Sequence, residues 1–267
     1  MSGNGPGFPQ FDDLLFEADG AVARITLNRP AVINALSMRL SDEFHRALDH
    51  DVRDAAEFTV LVVSGAGGNF CAGDDLSEMS SVGWGDTHRA MQRVRRYQDM
   101  ANTLEELDKI TIAAVDGWCV GGGLEITMAC DFVICTSRSR WGMPEVDWGI
   151  TPGWGGTTRM ARLIGRRMTK EVNLLGALYP AARGLELGLF NRVVPDEHLR
   201  EATDELVQLL LIKNQQGLRQ LKFMINRGVE ADLYTAQGFE VLSAGLTGAL
   251  LMGGGLPDSD SAHGWPA

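Results

Sequence analysis

The sequence lacks the residue patterns on which several common kinds of catalytic site depend. It contains no G-x-S-x-G turn and no Ser-His-Asp order, so a serine-hydrolase triad is not expected. Its five histidines have neither metal-ligand spacing nor a companion nucleophile. Its four cysteines match no common zinc spacing, and their apolar or glycine-rich surroundings favour buried thiols in a reducing cytoplasm. They are Cys71, Cys119, Cys130 and Cys135.

Positive charge and long apolar runs are also scarce. The chain has 24 Lys and Arg residues against 35 Asp and Glu residues, a formal net charge of -11, so nucleic acid is not expected as a partner. Residues 1–10 are polar and rich in Gly and Pro, which predicts a flexible leader without a signal peptide. The most apolar window, Ile110–Cys130, contains Asp116, Glu125 and several glycines, which argues against a membrane span. We therefore expect a cytoplasmic protein with no membrane association.

The order of predicted elements indicates an α/β protein with a helical end. Strand-like and helix-like patterns alternate through residues 11–195, with no linker-like stretch between them. Residues 196–252 are helical in pattern throughout, in about three segments broken near residue 213 and Gly228. Residues 253–267 are rich in Gly, Pro, Ser and Asp, which is typical of a loose tail. We therefore expect one core followed by a helical C-terminal region.

The stretch Val115–Gly156 contains most of the residues that can carry chemistry. An apolar run, Ile110–Val115, leads through Gly121–Gly123 into a helix-like segment. The unpaired N–H groups at the start of a helix can hold a developing oxyanion, although a glycine triplet also suits a tight strand-to-helix connection. Glu125 and Glu145 lie in apolar surroundings, each beside a glycine-rich turn. One such glutamate is commonplace, whereas two together indicate a general acid/base pair.

A second glycine-containing loop, Ala72–Leu76, follows a predicted strand. An Asx-type turn that caps the next segment would explain this composition. A backbone N–H donor for a substrate oxygen would also explain it. Two donors from different loops are what an oxyanion hole requires.

Four segments together resemble the signatures of the enoyl-CoA hydratase/isomerase (crotonase) family. They are Ile25–Pro30 with Asn34–Leu36, Phe70–Leu76, Gly117–Asp131, and Trp141–Glu145 continuing through Pro152–Gly156. The resemblance covers about residues 14–230. No segment alone is specific for the family, but the combination is highly specific.

This resemblance implies a fold, a substrate and a mechanism. The fold would be a spiral of β-β-α units, with a helical C-terminal region that builds homotrimers, usually paired into hexamers. The substrate would be an acyl-CoA thioester, whose oxygen accepts hydrogen bonds from the backbone N–H groups of Asp74 and Gly122. Glu125 would act chiefly as base on a water molecule, and Glu145 would protonate the α-carbon. No metal ion or redox cofactor would be needed.

The resemblance also implies which residues surround the substrate. They are Ala72, Asp75, Leu76, Gly121 and Trp148. Trp84 and Trp154, like Trp148, could line an acyl pocket or belong to the core or to an interface. The family commonly has Ala where this chain has Asp74, and this extra carboxylate could change substrate choice.

The resemblance leaves several reactions open. Hydration of a 2-enoyl-CoA is the leading hypothesis, because both glutamates are present. Isomerisation of an enoyl-CoA needs only one well-placed base, and crotonase-type decarboxylation or C–C cleavage also remains open. A non-catalytic acyl-CoA-binding protein would not need two glutamates, so their presence argues against that alternative.

Overall fold

The fold is described from a computed structural model, which covers residues 10–79 and 85–254, with side chains as far as residue 248. Most of the predicted leader, Trp84 and most of the predicted tail lie outside these residues. The chain divides into two compact units, Met1–Glu205 and Leu206–Ala267. This division differs from the predicted boundary after residue 195, which stays a prediction.

The described residues contain nine strands and nine α-helices. The strands are β1 (Leu14–Asp19), β2 (Val22–Leu27), β3 (Val60–Gly65), β4 (Ile110–Val115), β5 (Trp118–Val120), β6 (Phe132–Thr136), β7 (Arg140–Gly142), β8 (Leu178–Pro180) and β9 (Arg192–Val194). The helices are α1 (Met38–Arg46), α2 (Leu76–Met79), α3 (Thr87–Glu106), α4 (Gly122–Met128), α5 (Thr158–Leu175), α6 (Ala181–Leu187), α7 (Leu199–Leu211), α8 (Gln215–Gly228) and α9 (Leu233–Gly254). The predicted α/β class is therefore confirmed.

The larger sheet has six strands in the order β1-β2-β3-β4-β6-β9. The hairpin between β1 and β2 is antiparallel and turns at Gly20, whereas the remaining pairs are parallel. Every residue of β4 is buried, as expected for a central parallel strand whose two faces are both covered. The parallel strands end at the same edge, so the loops that follow them meet there.

The smaller sheet, β5-β7-β8, determines where these loops go. A strand of the larger sheet is followed by a strand of the smaller sheet and then by a helix, as in β4-β5-α4 and again in β6-β7-α5. Cys71 pairs with Cys119 of β5 and so continues the smaller sheet beyond its named strands. This repeat is the predicted β-β-α unit. The short strands β5 and β7, which come second in this unit, were not indicated by any pattern in the sequence.

Local signals predicted several helix ends well. Ser37 precedes apolar residues at helical spacing, a pattern that predicts an N-cap there. Its hydroxyl accepts a hydrogen bond from the Leu40 N–H at 3.0 Å, and α1 begins directly after it. The sequence pattern predicts a long helix over His88–Leu107, and α3 begins and ends one residue earlier. The break in α5 is at Gly165, whose φ of 76° is not helical.

The described part of the second unit, as far as residue 254, is mainly helical. The division after Glu205 lies within α7, and α8 and α9 follow it. Phe223 of α8 contacts Phe239 of α9 edge-on, with ring centroids 5.6 Å apart. Gln220 Oε1 also accepts a hydrogen bond from the Thr247 hydroxyl at 2.8 Å. α8 and α9 therefore pack against each other, and the predicted breaks near residue 213 and Gly228 are confirmed.

Candidate active site

The glycine triplet joins β5 to α4 through a conformation that only glycine adopts readily. Gly121 has φ 53° and ψ −126°, and its N–H donates to the carbonyl of Gly142 in β7 at 3.0 Å. α4 begins at Gly122, and all seven of its residues are buried. The first N–H groups of a helix have no partner within that helix. The backbone of Gly122 is therefore a candidate donor inside the protein.

Glu125 is held by the second glycine-rich turn. Its side chain is buried, and its Oε1 accepts hydrogen bonds from the backbone N–H groups of Trp154 at 2.8 Å and Gly156 at 2.6 Å. Burial raises the pKa of Glu125 to about 8, and the negative charges of Glu145 and Asp74 contribute to the rise. The turn at residues 152–156 thus orients this carboxyl group, and its two hydrogen bonds partly offset the rise in pKa that burial causes.

Glu145 lies in a short 3-10 helix, Pro144–Trp148, directly after β7. Its Oε1 is 2.8 Å from the position that a Cβ on Gly121 would occupy, so it lies against the glycine triplet. Its Oε2 is buried and has no hydrogen-bond partner within the described residues. Burial raises the pKa of Glu145 to about 7, with a contribution from Asp74. Two acids that titrate near neutral pH therefore flank the triplet.

The loop Ala72–Leu76 lies beside the glycine triplet. The Val120 N–H donates to the Cys71 carbonyl at 2.9 Å, and the Leu36 N–H donates to the Gly73 carbonyl at 2.8 Å. Gly73 has a φ of 89°, and a Cβ there would be 3.1 Å from the Val120 oxygen and 3.3 Å from the Gly122 nitrogen. This close approach brings the backbones of Asp74 and Gly122 together.

Asn34 secures the chain segment just before this loop. It is fully buried with a φ of 54°, and its amide nitrogen donates to the carbonyls of Ala66 at 2.9 Å and Asn69 at 2.8 Å. Its Oδ1 accepts a hydrogen bond from the Arg29 N–H at 2.9 Å. Asn34, in the first of the four family-like segments, therefore holds in place the chain that leads into the site. The sequence had not indicated this role.

The five predicted substrate-contacting residues differ in their surroundings. Gly121 lies against Glu145, whereas Ala72, Leu76 and Trp148 are exposed, with 64% of Trp148 accessible. Asp75 is engaged within the chain: it accepts hydrogen bonds from the Ser77 hydroxyl at 2.6 Å and from Arg29 at 2.9 Å. These contacts hold the pKa of Asp75 below its usual value, that of Ser77 most strongly. Substrate contact by these residues stays a prediction.

The Asp74 carboxyl group completes a group of three acids. Its Oδ1 is buried 3.3 Å from the position of a Cβ on Gly122. Burial raises the pKa of Asp74 to about 6. Trp154 is fully buried beside it and stacks on Tyr97, with ring centroids 4.5 Å apart and planes 17° apart. Trp154 is thus inside the protein, whereas Trp148 is at the surface.

In the part of the chain that the structure describes, no group of three or more His, Cys, Asp or Glu side chains has the arrangement of a metal site. No helix among the described residues is long and apolar enough to cross a membrane.

The raised pKa of Glu125 has a consequence for stability. Because its folded pKa of about 8 exceeds the value of 4.5 for a free glutamate, the folded state binds the extra proton, and stability falls as the pH rises between these values. Glu125→Gln mimics the protonated form. We expect the wild type to lose unfolding free energy relative to this variant, by at most about 1.4 kcal/mol per pH unit. Denaturant unfolding from pH 5 to 8.5 measures the difference.

A control for this prediction is Glu57→Gln, the same exchange at an exposed position. Its stability should follow that of the wild type across the pH range. A constant difference between the wild type and Glu125→Gln would contradict the burial of an ionisable carboxyl group there.

Comparison with known proteins assigns the chain to a family. A family model described as Enoyl-CoA hydratase/isomerase matches residues 17–244. The Short-chain-enoyl-CoA hydratase of Clostridium acetobutylicum is 35% identical over 232 residues, 86% of this chain and 87% of that protein. The Crotonyl-CoA hydratase of Syntrophomonas wolfei is 32% identical over 237 residues, 88% of this chain and 90% of that protein. A solved putative enoyl-CoA hydratase from Thermobifida fusca in complex with CoA superposes with a TM-score of 0.84 at 29% identity, covering 90% of this chain and 94% of that one. The chain therefore belongs to the enoyl-CoA hydratase/isomerase family and has its crotonase fold.

Proposed function

We propose that the protein is a lyase that adds water across the 2,3 double bond of an acyl-CoA thioester. The observation that carries this proposal is the pair of acids on either side of Gly121–Gly123, the buried Glu125 and the half-buried Glu145. Two relatives named as a short-chain-enoyl-CoA hydratase and a crotonyl-CoA hydratase support the reaction. The neighbour solved with CoA supports the class of substrate.

The backbone N–H groups of Asp74 and Gly122 are proposed to hold the thioester oxygen. Water addition places negative charge on this oxygen, because the electrons of the double bond move towards the carbonyl as the water oxygen attacks C3. Backbone donors fixed in a dry site stabilise such charge better than mobile water does. The close approach of Gly73 to the Gly122 nitrogen supports this pairing.

The two glutamates are proposed to divide the proton transfers. Glu125 accepts a proton from the water whose oxygen bonds to C3, and Glu145 gives its proton to C2, so the glutamate pair together retains one proton. Burial raises the pKa of Glu125 further than that of Glu145, to about 8 against about 7. The two coupled acids share a proton at neutral pH, and hydration starts from the form in which Glu145 holds it. Two backbone N–H groups stabilise a charge on Glu125, whereas Glu145 Oε2 is buried without a partner in the described residues.

The remaining roles are part of the same proposal. Ala72, Asp75, Leu76, Gly121 and Trp148 contact the substrate, and the bond from Arg29 to Asp75 fixes the loop that contains three of them. No metal ion or redox cofactor is needed, because the two acids and the backbone donors supply each step of hydration. Coenzyme A enters only as part of the substrate.

An activity screen tests the proposed function. The wild type is incubated with short, long, branched and aromatic 2-enoyl-CoAs, and loss of the conjugated thioester and formation of the 3-hydroxyacyl product are followed. We expect turnover of at least one class, with rates unchanged after treatment with EDTA. Double-bond migration without hydration would point to an isomerase. CoA binding without turnover of any thioester would contradict the proposal.

A homotrimer, or a dimer of such trimers, is proposed from the exposed apolar side chains of the C-terminal helices. Phe223 and Ile225 of α8 and Val241 and Leu242 of α9 are each more than half exposed. Apolar surface of this kind marks interaction faces in water-exposed proteins. Light scattering after size-exclusion chromatography measures the assembly. A monomeric mass would contradict it.

A cytoplasmic location is also proposed. Its support is the presence of four cysteines as free thiols, three of them buried. Fractionation of the producing cell tests this location, and recovery outside the cytoplasmic fraction would contradict it.

A further inference from the structure

The side chain of Cys71 lies between the two backbone segments that supply the proposed oxyanion donors. On one side, the Gly73 N–H donates to Cys71 Sγ at 3.4 Å, one residue before the Asp74 donor. On the other side, Cys71 Sγ lies 3.1 Å from the position of a Cβ on Gly123, one residue after the Gly122 donor. The sulfur atom therefore packs against both segments, within one residue of each donor.

The same thiol is bonded to a third segment. Its S–H group donates to the Asn34 carbonyl at 3.2 Å, and the Gly73 carbonyl at 4.0 Å is the more distant alternative. Asn34 is fully buried, so this acceptor is held in place. The S–H donor and a sulfur acceptor position are thus both used, which favours a single orientation of the thiol.

Cys71 has no chemical part in the proposed hydration. Its side chain is fully buried, and burial raises the pKa of the thiol to about 12. At neutral pH the group is therefore a protonated thiol, which is a poor nucleophile and a poor base. The contacts of this side chain give it a role in geometry instead.

The turn after Cys71 links the sulfur atom to the first donor. Gly73 has a φ of 89°, and its carbonyl accepts a hydrogen bond from the Leu36 N–H at 2.8 Å. The bond from the Gly73 N–H to the sulfur closes this turn over two residues. The next peptide group contains the Asp74 N–H, so the position of the sulfur helps to determine where this donor lies.

The contact with Gly123 links the sulfur atom to the second donor. A Cβ on Gly123 would lie 2.7 Å from both the Cβ and the carbonyl oxygen of Cys71, so the first turn of α4 rests directly on Cys71. Packed interiors transmit small changes in volume to their neighbours. Loss of the sulfur atom is therefore expected to change the distance between two donors that act on one oxygen.

We propose that Cys71 is a positioning residue that sets the spacing of the Asp74 and Gly122 N–H groups. This inference rests on the proposed function, which assigns these groups to the thioester oxygen. Donors stabilise a developing charge well only when they are fixed around the position that the charged oxygen will occupy. A thiol bonded on both sides holds them there without entering the reaction.

The polarisation of a bound thioester carbonyl measures the oxyanion hole without turnover. Butanoyl-CoA labelled with carbon-13 at its carbonyl is the probe, because it has no double bond to hydrate. Infrared difference spectra of the labelled and unlabelled complexes give the carbonyl stretching frequency, which falls when hydrogen bonds weaken the C=O bond. We expect a frequency below that of free butanoyl-CoA in the wild type, and Cys71→Ala should lose about half of this shift.

Hydration should follow the same geometry. Cys71→Ala is expected to lower kcat about tenfold on the best substrate of the screen, because displaced donors stabilise the transition state less. KM should change less than kcat, since the charge on the oxygen develops only in the transition state. Cys71→Ser keeps a donor and an acceptor on a shorter bond, so it should lie between the wild type and Cys71→Ala in both readouts.

Cys135→Ala is the matched control. Cys135 is also fully buried, and its S–H group donates to the Arg192 carbonyl at 3.6 Å in the larger sheet. Removal of this sulfur should lower the melting temperature as Cys71→Ala does, while the carbonyl frequency and kcat equal those of the wild type. A role in stability alone would not separate the two variants by carbonyl frequency.

The outcomes separate this inference from the proposed function. A wild-type carbonyl frequency and kcat in Cys71→Ala, or in Cys71→Ser if the alanine variant does not fold, would overturn the positioning role and leave the hydratase function standing. An equal loss of polarisation in Cys135→Ala would also overturn it, because any buried thiol would then have the same effect. If the wild type neither lowers the carbonyl frequency nor hydrates any thioester of the screen, the proposed function fails and the inference falls with it.

Discussion

Glu145→Gln is expected to lower kcat for hydration by about 10²–10⁴-fold. The amide has nearly the shape of the carboxyl group but cannot give a proton to C2 of the substrate. Burial raises the pKa of Glu145 to about 7, so the native group can hold a proton at neutral pH and release it. Substrate binding should change far less than kcat, because the proton transfer occurs only in the transition state. Steady-state kinetics on the best substrate of the screen measures both.

The control for this variant is Asp147→Asn in the same 3-10 helix. Asp147 is exposed, and its carboxyl group lies near Gly176, away from the triplet. The same carboxyl-to-amide exchange should leave kcat within about twofold of the wild type, as for a surface substitution. Wild-type kcat in Glu145→Gln, with an unchanged melting temperature in both variants, would remove Glu145 from the mechanism.

Gly121→Ala is expected to lower kcat by about 10²-fold, because it displaces Glu145 and the start of α4 without removing a reacting group. The added Cβ would lie 2.8 Å from Glu145 Oε1, and the backbone at φ 53° and ψ −126° is unfavourable for alanine. Both effects push the acid and the start of α4 apart. The measurement is kcat together with the melting temperature, since the strain should also cost stability.

Gly20→Ala is the control that introduces a similar backbone strain without a new steric contact. Gly20 has a similar φ of 55°, but a Cβ there would meet no atom within 4 Å. This hairpin variant should lose stability by about 1 kcal/mol and keep its kcat. Equal losses of activity in the two variants would mean that strain alone, rather than contact with Glu145, impairs the site.

The sequence predicted the elements that have strong local signals. Ser37 starts α1, and the sequence pattern predicts a short helix over Ala181–Leu187, which are the bounds of α6. Apolar β-branched runs such as Ile110–Val115 became buried strands. These features depend on periodicity and capping, which a few neighbouring residues determine.

The smaller sheet could not be predicted in this way. Trp118–Val120, Arg140–Gly142 and Leu178–Pro180 are each three residues long, too short for a periodic pattern. They are strands only because distant segments pair with them. Yet β5 and β7 position the glycine triplet and Glu145, so the geometry of the site depends on contacts between residues far apart in the sequence.

The candidate acids were visible in the sequence, but their surroundings were not. Glu125 and Glu145 are carboxylates among apolar residues, and this pattern predicts an acid/base pair. Nothing local indicated that the Trp154 and Gly156 N–H groups bind Glu125, since 29 and 31 positions separate them in the chain. Asp74 departs from the family pattern, and the burial of its Oδ1 beside Gly122 was not indicated by the sequence.

The most direct test of the mechanism is kcat for hydration by Glu125→Gln, Glu145→Gln and the double variant, measured side by side. If the two glutamates make their two proton transfers as a unit, removing either should remove most of what the pair contributes. We therefore predict that the double variant loses about as much activity as the more impaired single variant. Losses that multiply would contradict joint action of the pair, and unchanged rates would contradict the site itself.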